Sequence, residues 1–140
     1  MRTACSALAV VTLALALGAC GESSEEKAQN TVCDARADIG KQVDMLKSLT
    51  PATVTTDAVT QSLDAIKNDL KDITDAQSEL SSDRRSEAEA ANKTFASAIE
   101  GIAGEIGSSL SASYAKAAFV TALQQLGAAY EETFAPLNCE

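Results

Sequence analysis

From Val32 to Phe134 the apolar residues recur every three or four positions, the spacing that holds one face of an α-helix against a core. The first helix is predicted over about 31–49, with Val32, Ala35, Ile39, Val43, Leu46 and Leu49 on one side. Thr50-Pro51 ends it, because a residue before proline is pushed away from helical angles. Thr55 or Thr56 can cap the second helix, with Asp57 near the positive end of its dipole. In that helix Val59, Leu63, Ile66, Leu70, Ile73, Gln77 and Leu80 alternate steps of four and three, a heptad seam with one polar member. The opposite face carries Asp64, Asn68, Asp72, Asp75 and Glu79. After Leu80 the seam loses phase and resumes one residue out of step at Ala88, Phe95, Ile99, Ile102 and Ile106. Ser81-Ser82-Asp83 supplies capping chemistry at the break, which predicts a tight turn. The third helix then runs from about Asp83 to Ile106, with Gly107 in the left-handed position that closes helices. A further turn follows with Ser111 as cap, and a fourth helix carries Phe119, Leu123, Leu126, Tyr130 and Phe134 and ends at Pro136. The sequence holds no strand pattern, Gly-rich phosphate loop or long internal repeat.

Four helices of similar length joined by short connections pack most simply up, down, up, down around one seam. The predicted fold is therefore all-α, a four-helix up-down-up-down bundle over residues 32–140. The rival is a long helical hairpin in which helices two and three run on as one rod, with the first and fourth folded back along its halves. The coincidence of phase break and serine pair favours the bundle.

Before the helices lies a segment of another kind. Arg2 is followed by residues 7–17, almost wholly apolar and interrupted only by Thr12, which reads as a targeting leader over residues 1–19, too short to span a bilayer. The leader ends in Leu17-Gly18-Ala19-Cys20, which resembles the lipobox of bacterial lipoproteins. That resemblance implies cleavage before Cys20, lipid on its sulfur, and a protein held to the outer, extracytoplasmic face of the cell membrane. Ordinary secretion is the other reading, since Ala16-Leu17-Gly18 is a tolerable small-x-small cleavage site. Residues 20–31 are rich in Ser, Glu and Gly and contain no large apolar residue before Val32, so they are expected to form a flexible tether. With its Cys33-Asp34 opening, amphipathic helices and cysteine near the end, the chain is also similar to small alanine-rich actinobacterial lipoproteins. That likeness supplies no activity and no site.

Charge and cysteine count narrow the function. Loss of the leader removes Arg2 and no acid, leaving 10 basic and 20 acidic side chains and a formal charge of −10. That balance opposes nucleic acids and anionic headgroups as partners. Of four cysteines, Cys5 leaves with the leader and Cys20 is assigned to the lipid, so Cys33 and Cys139 remain. An exported compartment permits disulfides, the two bracket the folded part, and they are expected to pair. Closing a loop of that length stabilises a fold by about 4–5 kcal/mol through chain entropy.

Candidate sites are few. No histidine occurs anywhere, which removes His-based triads and imidazole ligation, and no Cys-x-x-Cys is present. The acids Asp64, Asp72, Asp75 and Glu79 read as a solvated face flanked by Lys67 and Lys71 rather than a cation site, so no metal and no cofactor is expected. Gln42 and Gln77 fall on core seams as register-setting amides, and Lys116 points inward near a bundle end. Asn92-Lys93-Thr94 matches a glycosylation acceptor but lies mid-helix. Gly101 and Gly104 interrupt the third helix on its outer side beside Ser97 and Ser108, at a cost of about 1 kcal/mol each relative to alanine. Such a strip lets another backbone come close, and these four residues form the expected partner-docking face. The functional expectation is a non-enzymatic, monomeric interaction or scaffold module of the cell envelope, meeting an envelope protein. The alternative is a carrier of a small apolar or lipidic ligand between the helices. A hollow seam would favour the carrier, a filled seam with an exposed small-residue strip the interaction module.

Overall fold

The computed structural model describes residues 21–110 and 113–139. The leader, Cys20 and the expected Ser111 cap lie outside them. The described chain forms α1 (Ser24–Lys47), α2 (Thr56–Ala76), a 3-10 turn (Gln77–Glu79), α3 (Ser82–Ser109) and α4 (Ser113–Phe134). Each helix packs on its two neighbours in the ring α1, α2, α3, α4, so the fold is an up-down-up-down four-helix bundle.

The seams foreseen from spacing make the core. Val32, Ala35, Ile39, Val43 and Leu46 of α1 are buried against Val59, Leu63, Ile66, Leu70 and Ile73 of α2. Ala88, Phe95, Ile99 and Ile106 of α3 and Phe119, Leu123, Leu126 and Phe134 of α4 complete it. The last turns of α4 set their rings on the middle of α3: Phe95 meets Phe134 at 5.4 Å and Tyr130 at 5.8 Å, both edge to face. Such pairs add about 0.5–1.5 kcal/mol beyond the area they bury.

Helix boundaries depart from expectation in four places. Residues 24–31, expected as tether, are the first two turns of α1. Ser23 and Glu26 form a capping box: the Ser23 hydroxyl accepts from the Glu26 amide at 3.1 Å, and the Glu26 carboxylate accepts from the Ser23 amide at 2.9 Å. Ala28 is then buried in the core, so only residues 21–23 of the described tether are non-helical. At the other end α1 stops at Lys47, where the Ser48 hydroxyl donates to the Met45 carbonyl at 2.7 Å, two residues before the expected stop. α3 runs through Gly107 to Ser109 with no glycine at positive φ among the described residues, and Leu110 still packs on the core beyond the expected cap. α4 ends at Phe134, and Ala135-Pro136 form the turn that follows it, two residues short of the expected end at Pro136.

The turn between α2 and α3 falls where the seam breaks, which removes the continuous-rod arrangement. Its chemistry differs from the serine caps foreseen. Ser81 occupies the N-cap position of α3 without a side-chain hydrogen bond. Arg85 reaches back instead, donating from Nε to the Gln77 carbonyl at 3.0 Å and from Nη2 to those of Ser78 at 2.8 Å and Leu80 at 3.2 Å. One guanidinium thus collects three carbonyls of the α2–α3 turn, that of Gln77 shared with the Leu80 amide.

α1 and α4 close the ring. Cys33 and Cys139 are joined, with an S–S distance of 2.12 Å and Cα atoms 5.4 Å apart. Higher up, the Tyr130 hydroxyl donates to the Arg36 carbonyl at 2.7 Å. This approach requires Gly40, where a Cβ would stand 2.8 Å from the Tyr130 oxygen. Tyr130→Phe is expected to lower stability by about 1 kcal/mol, the usual worth of one such bond. Gly40→Ala should destabilise the native protein, yet cost less in the Tyr130→Phe background, where the obstructing oxygen is gone. Chemical denaturation of the two single variants and the double variant checks this; strict additivity would place the clash elsewhere.

Candidate functional site

The expected docking face follows from where α3 turns its small residues. Ser97, Gly101, Gly104 and Ser108 step by four, three and four, so they share one side of the helix. Ser97, Gly101 and Gly104 are exposed, while Ser108 falls in the last turn of α3. The Ser97 hydroxyl donates to the Lys93 carbonyl at 3.1 Å and so turns inward on its own helix. A Cβ built on Gly101 or Gly104 meets nothing within 4 Å. Nothing inside this chain therefore requires glycine at either position. The strip borders a shallow groove between α3 and α4, lined by Ala98, Ile102, Ala122 and Leu126.

A second concavity was not foreseen. At the disulfide end a cleft of about 230 Å³ lies between α1 and the start of α3. Val32, Leu80, Ala88 and Leu137 form its apolar part, Gln29 and Arg84 its rim, and the Cys33–Cys139 bridge one wall. No sequence signal marked it, because its lining comes from three separated segments, including the short stretch after α4.

The other predicted residues have structural places. Asp64 faces Lys67 at 3.9 Å and Asp75 pairs with Lys71, all exposed. Among the described residues no three potential metal-binding side chains gather at one point. Gln42, Gln77 and Lys116 are half-buried. Asn92 turns toward α2, donating from Nδ2 to the Thr74 hydroxyl at 2.6 Å, which ties the two helices and takes the amide away from a glycan acceptor role.

Electrostatically one acid stands out. Asp69 of α2 is held above the ordinary carboxylate range by partial burial and by the neighbouring charges of Asp38 and Asp72, against the opposing pull of Lys41. Lys41 is committed to Asp38, which it meets at 2.6 Å. Across the bundle end, burial pushes the Tyr130 hydroxyl up against the pull of the Arg36 guanidinium.

Comparison with protein-family models, with curated proteins and with solved structures finds no match to this chain. Its class is accordingly set by its own architecture, a disulfide-closed all-α bundle with an acidic surface.

Two outcomes follow. Gly101→Ala and Gly104→Ala should each raise stability by about 1 kcal/mol, since both positions are helical and open. Thermal denaturation checks this, and a loss of stability would mean that the outer strip is packed on something within the chain. For Asp69, a folded-state pKa above the unfolded one means that the charged form weakens the fold. The contribution is favourable below the unfolded value and is lost as pH rises through the folded one. Asp69→Asn should therefore raise the melting midpoint at pH 7 and leave it nearly unchanged at pH 4. Glu100→Gln, which removes the same charge from an exposed position, should give a smaller rise at pH 7.

Proposed function

We propose that this chain is a lipid-anchored, extracytoplasmic interaction or scaffold module of the cell envelope. Acyl chains on Cys20 hold it to the outer face of the membrane, and the outer side of α3 meets an envelope protein. The observation that carries the reading is the pairing of a filled helical seam with an open strip at Gly101 and Gly104. Helical glycines that no neighbour in the chain requires suit the close approach of a second backbone. The anchor is supported by the lipobox-like Leu17-Gly18-Ala19-Cys20. The start of α1 at Ser24 adds a consequence: three residues separate Cys20 from the helix, so an anchored bundle stands with its disulfide end near the bilayer. At 1.5 Å per residue, Gly101 lies about 30 Å along α3 from that end, within reach of a partner above the headgroups. The negative surface keeps the domain off anionic lipid.

No catalysis belongs to this reading, and the filled seam weighs against a carrier with its ligand between the helices. The test has two arms. Intact mass spectrometry of protein extracted from its own membrane should show a chain beginning at an acylated Cys20. A photoreactive residue at position 101 should give one discrete adduct with an envelope protein, and the same residue at Asp64, on the charged outer face of α2, should give none. An unmodified amino terminus sinks the anchor. Equal labelling from both positions, or none from 101, sinks the docking face. A co-purifying amphiphile seen by native mass spectrometry would favour the carrier.

A further inference from the structure

The segment after Phe134 differs from the rest of the chain in how it is held. It leaves α4 through a turn in which the Leu137 amide donates to the Phe134 carbonyl at 3.1 Å, and then lies across α1. Arg36 donates from Nη1 to the Leu137 carbonyl at 2.6 Å, Gln29 donates from Nε2 to that of Asn138 at 3.4 Å, and Cys139 is bonded to Cys33. Leu137 is buried and, with Asn138 and Cys139, forms one wall of the cleft over Val32, Leu80 and Ala88. Neither sulfur-bearing residue is fully buried.

The four helices are fastened separately from this segment. α4 meets α1 through the Tyr130–Arg36 bond, through Gly40, and through the Lys47 side chain lying on Gly127, all further up the bundle. Phe134 is fully buried against Phe95. The disulfide therefore closes the strap directly and the helical core only indirectly.

We infer that residues 135–139 are a strap clasped by the Cys33–Cys139 bond, and that a dithiol reductant opens the cleft between α1 and α3 by releasing the strap while the helices stay packed. In the exchange one thiolate of the dithiol attacks one sulfur of the bridge, forming a mixed disulfide and expelling the other cysteine. The second thiol of the reductant then closes on the first. Two electrons pass to the protein, which ends with protonated Cys33 and Cys139, and the dithiol ends as a cyclic disulfide. Freed of its covalent clasp, the strap is held to α1 by the Arg36 and Gln29 hydrogen bonds and by burial of Leu137, and its departure exposes Val32, Leu80 and Ala88. The device needs only the fold described above and is independent of acylation at Cys20.

The test uses the purified full chain with and without dithiothreitol, together with a Cys33→Ser/Cys139→Ser variant. Helical circular dichroism at 25 °C should be retained in all three samples. Hydrogen exchange at the Leu137 amide should speed up at least tenfold on reduction and in the double variant. A neutral apolar dye such as Nile red should gain fluorescence in the same two samples. Loss of helical signal would mean that the bond holds the whole bundle. Unchanged exchange at Leu137 would mean that Arg36 and the core hold the strap unaided. Either result overturns the inference.

Discussion

The contact on which this bundle depends is the closure of α4 onto α1. The other neighbours in the ring are joined by short connections, so their pairing carries little loop entropy, whereas α1 and α4 come from opposite ends of the folded chain. The residues that close it form a stripe of their own on α1. Cys33, Arg36, Gly40 and Lys47 step by three, four and seven, alongside the apolar stripe of Val32, Ala35, Ile39, Val43 and Leu46. One stripe faces the common core. The other meets α4 and the chain end with a disulfide, a guanidinium, a missing side chain and a long aliphatic stem. Two adjacent stripes of different chemistry explain how one helix can serve both a core and a closing seam.

That division also explains what could be read in the sequence. The core stripes were legible because burial of Val, Leu, Ile and Phe repeats at the helical period, and every apolar residue named on the α2 seam is buried. The break of phase after Leu80 located the α2–α3 turn for the same reason. The closing stripe was not legible, since Gln, Cys, Arg, Gly and Lys have no common hydropathy, and only the two cysteines betrayed it. Composition misled at residues 24–31: a Ser- and Glu-rich stretch reads as tether, but Ser23 and Glu26 at the capping-box spacing start a helix that Ala28 then anchors. The Arg85 clamp was hidden as well, because a side chain that caps carbonyls from the following helix leaves no mark in local propensity.

The polar surface stabilises little by itself. The ion pairs Lys41–Asp38, Lys47–Asp44, Lys67–Asp64 and Lys71–Asp75 each join residues three or four apart on the same helix, and all are largely exposed. Pairs of that kind contribute at most about 0.5 kcal/mol each. With 20 acids against 11 bases in the sequence, the remaining carboxylates repel one another, and Asp69 records that repulsion between α1 and α2. Solubility and separation from other acidic surfaces are what such a balance supplies. The outer strip of α3 is different, since between Glu100 and Glu105 it offers two bare helical positions.

The distribution of glycine sharpens that difference. Gly40 sits under the rigid ring of Tyr130, where a Cβ would stand 2.8 Å from the phenolic oxygen, whereas Gly127 sits under the flexible stem of Lys47, which can swing aside. At Gly40 the cost in helix propensity is repaid inside the fold. Gly101 and Gly104 carry the same cost of about 1 kcal/mol each with no internal contact to offset it. A chain that uses glycine for close approach at Gly40 and leaves it open at two other positions, on one helix face and one turn apart, has either tolerated a loss of stability or placed the compensating contact outside itself. The proposed function takes the second course, and it locates the missing neighbour on α3 in the half of the bundle away from the disulfide.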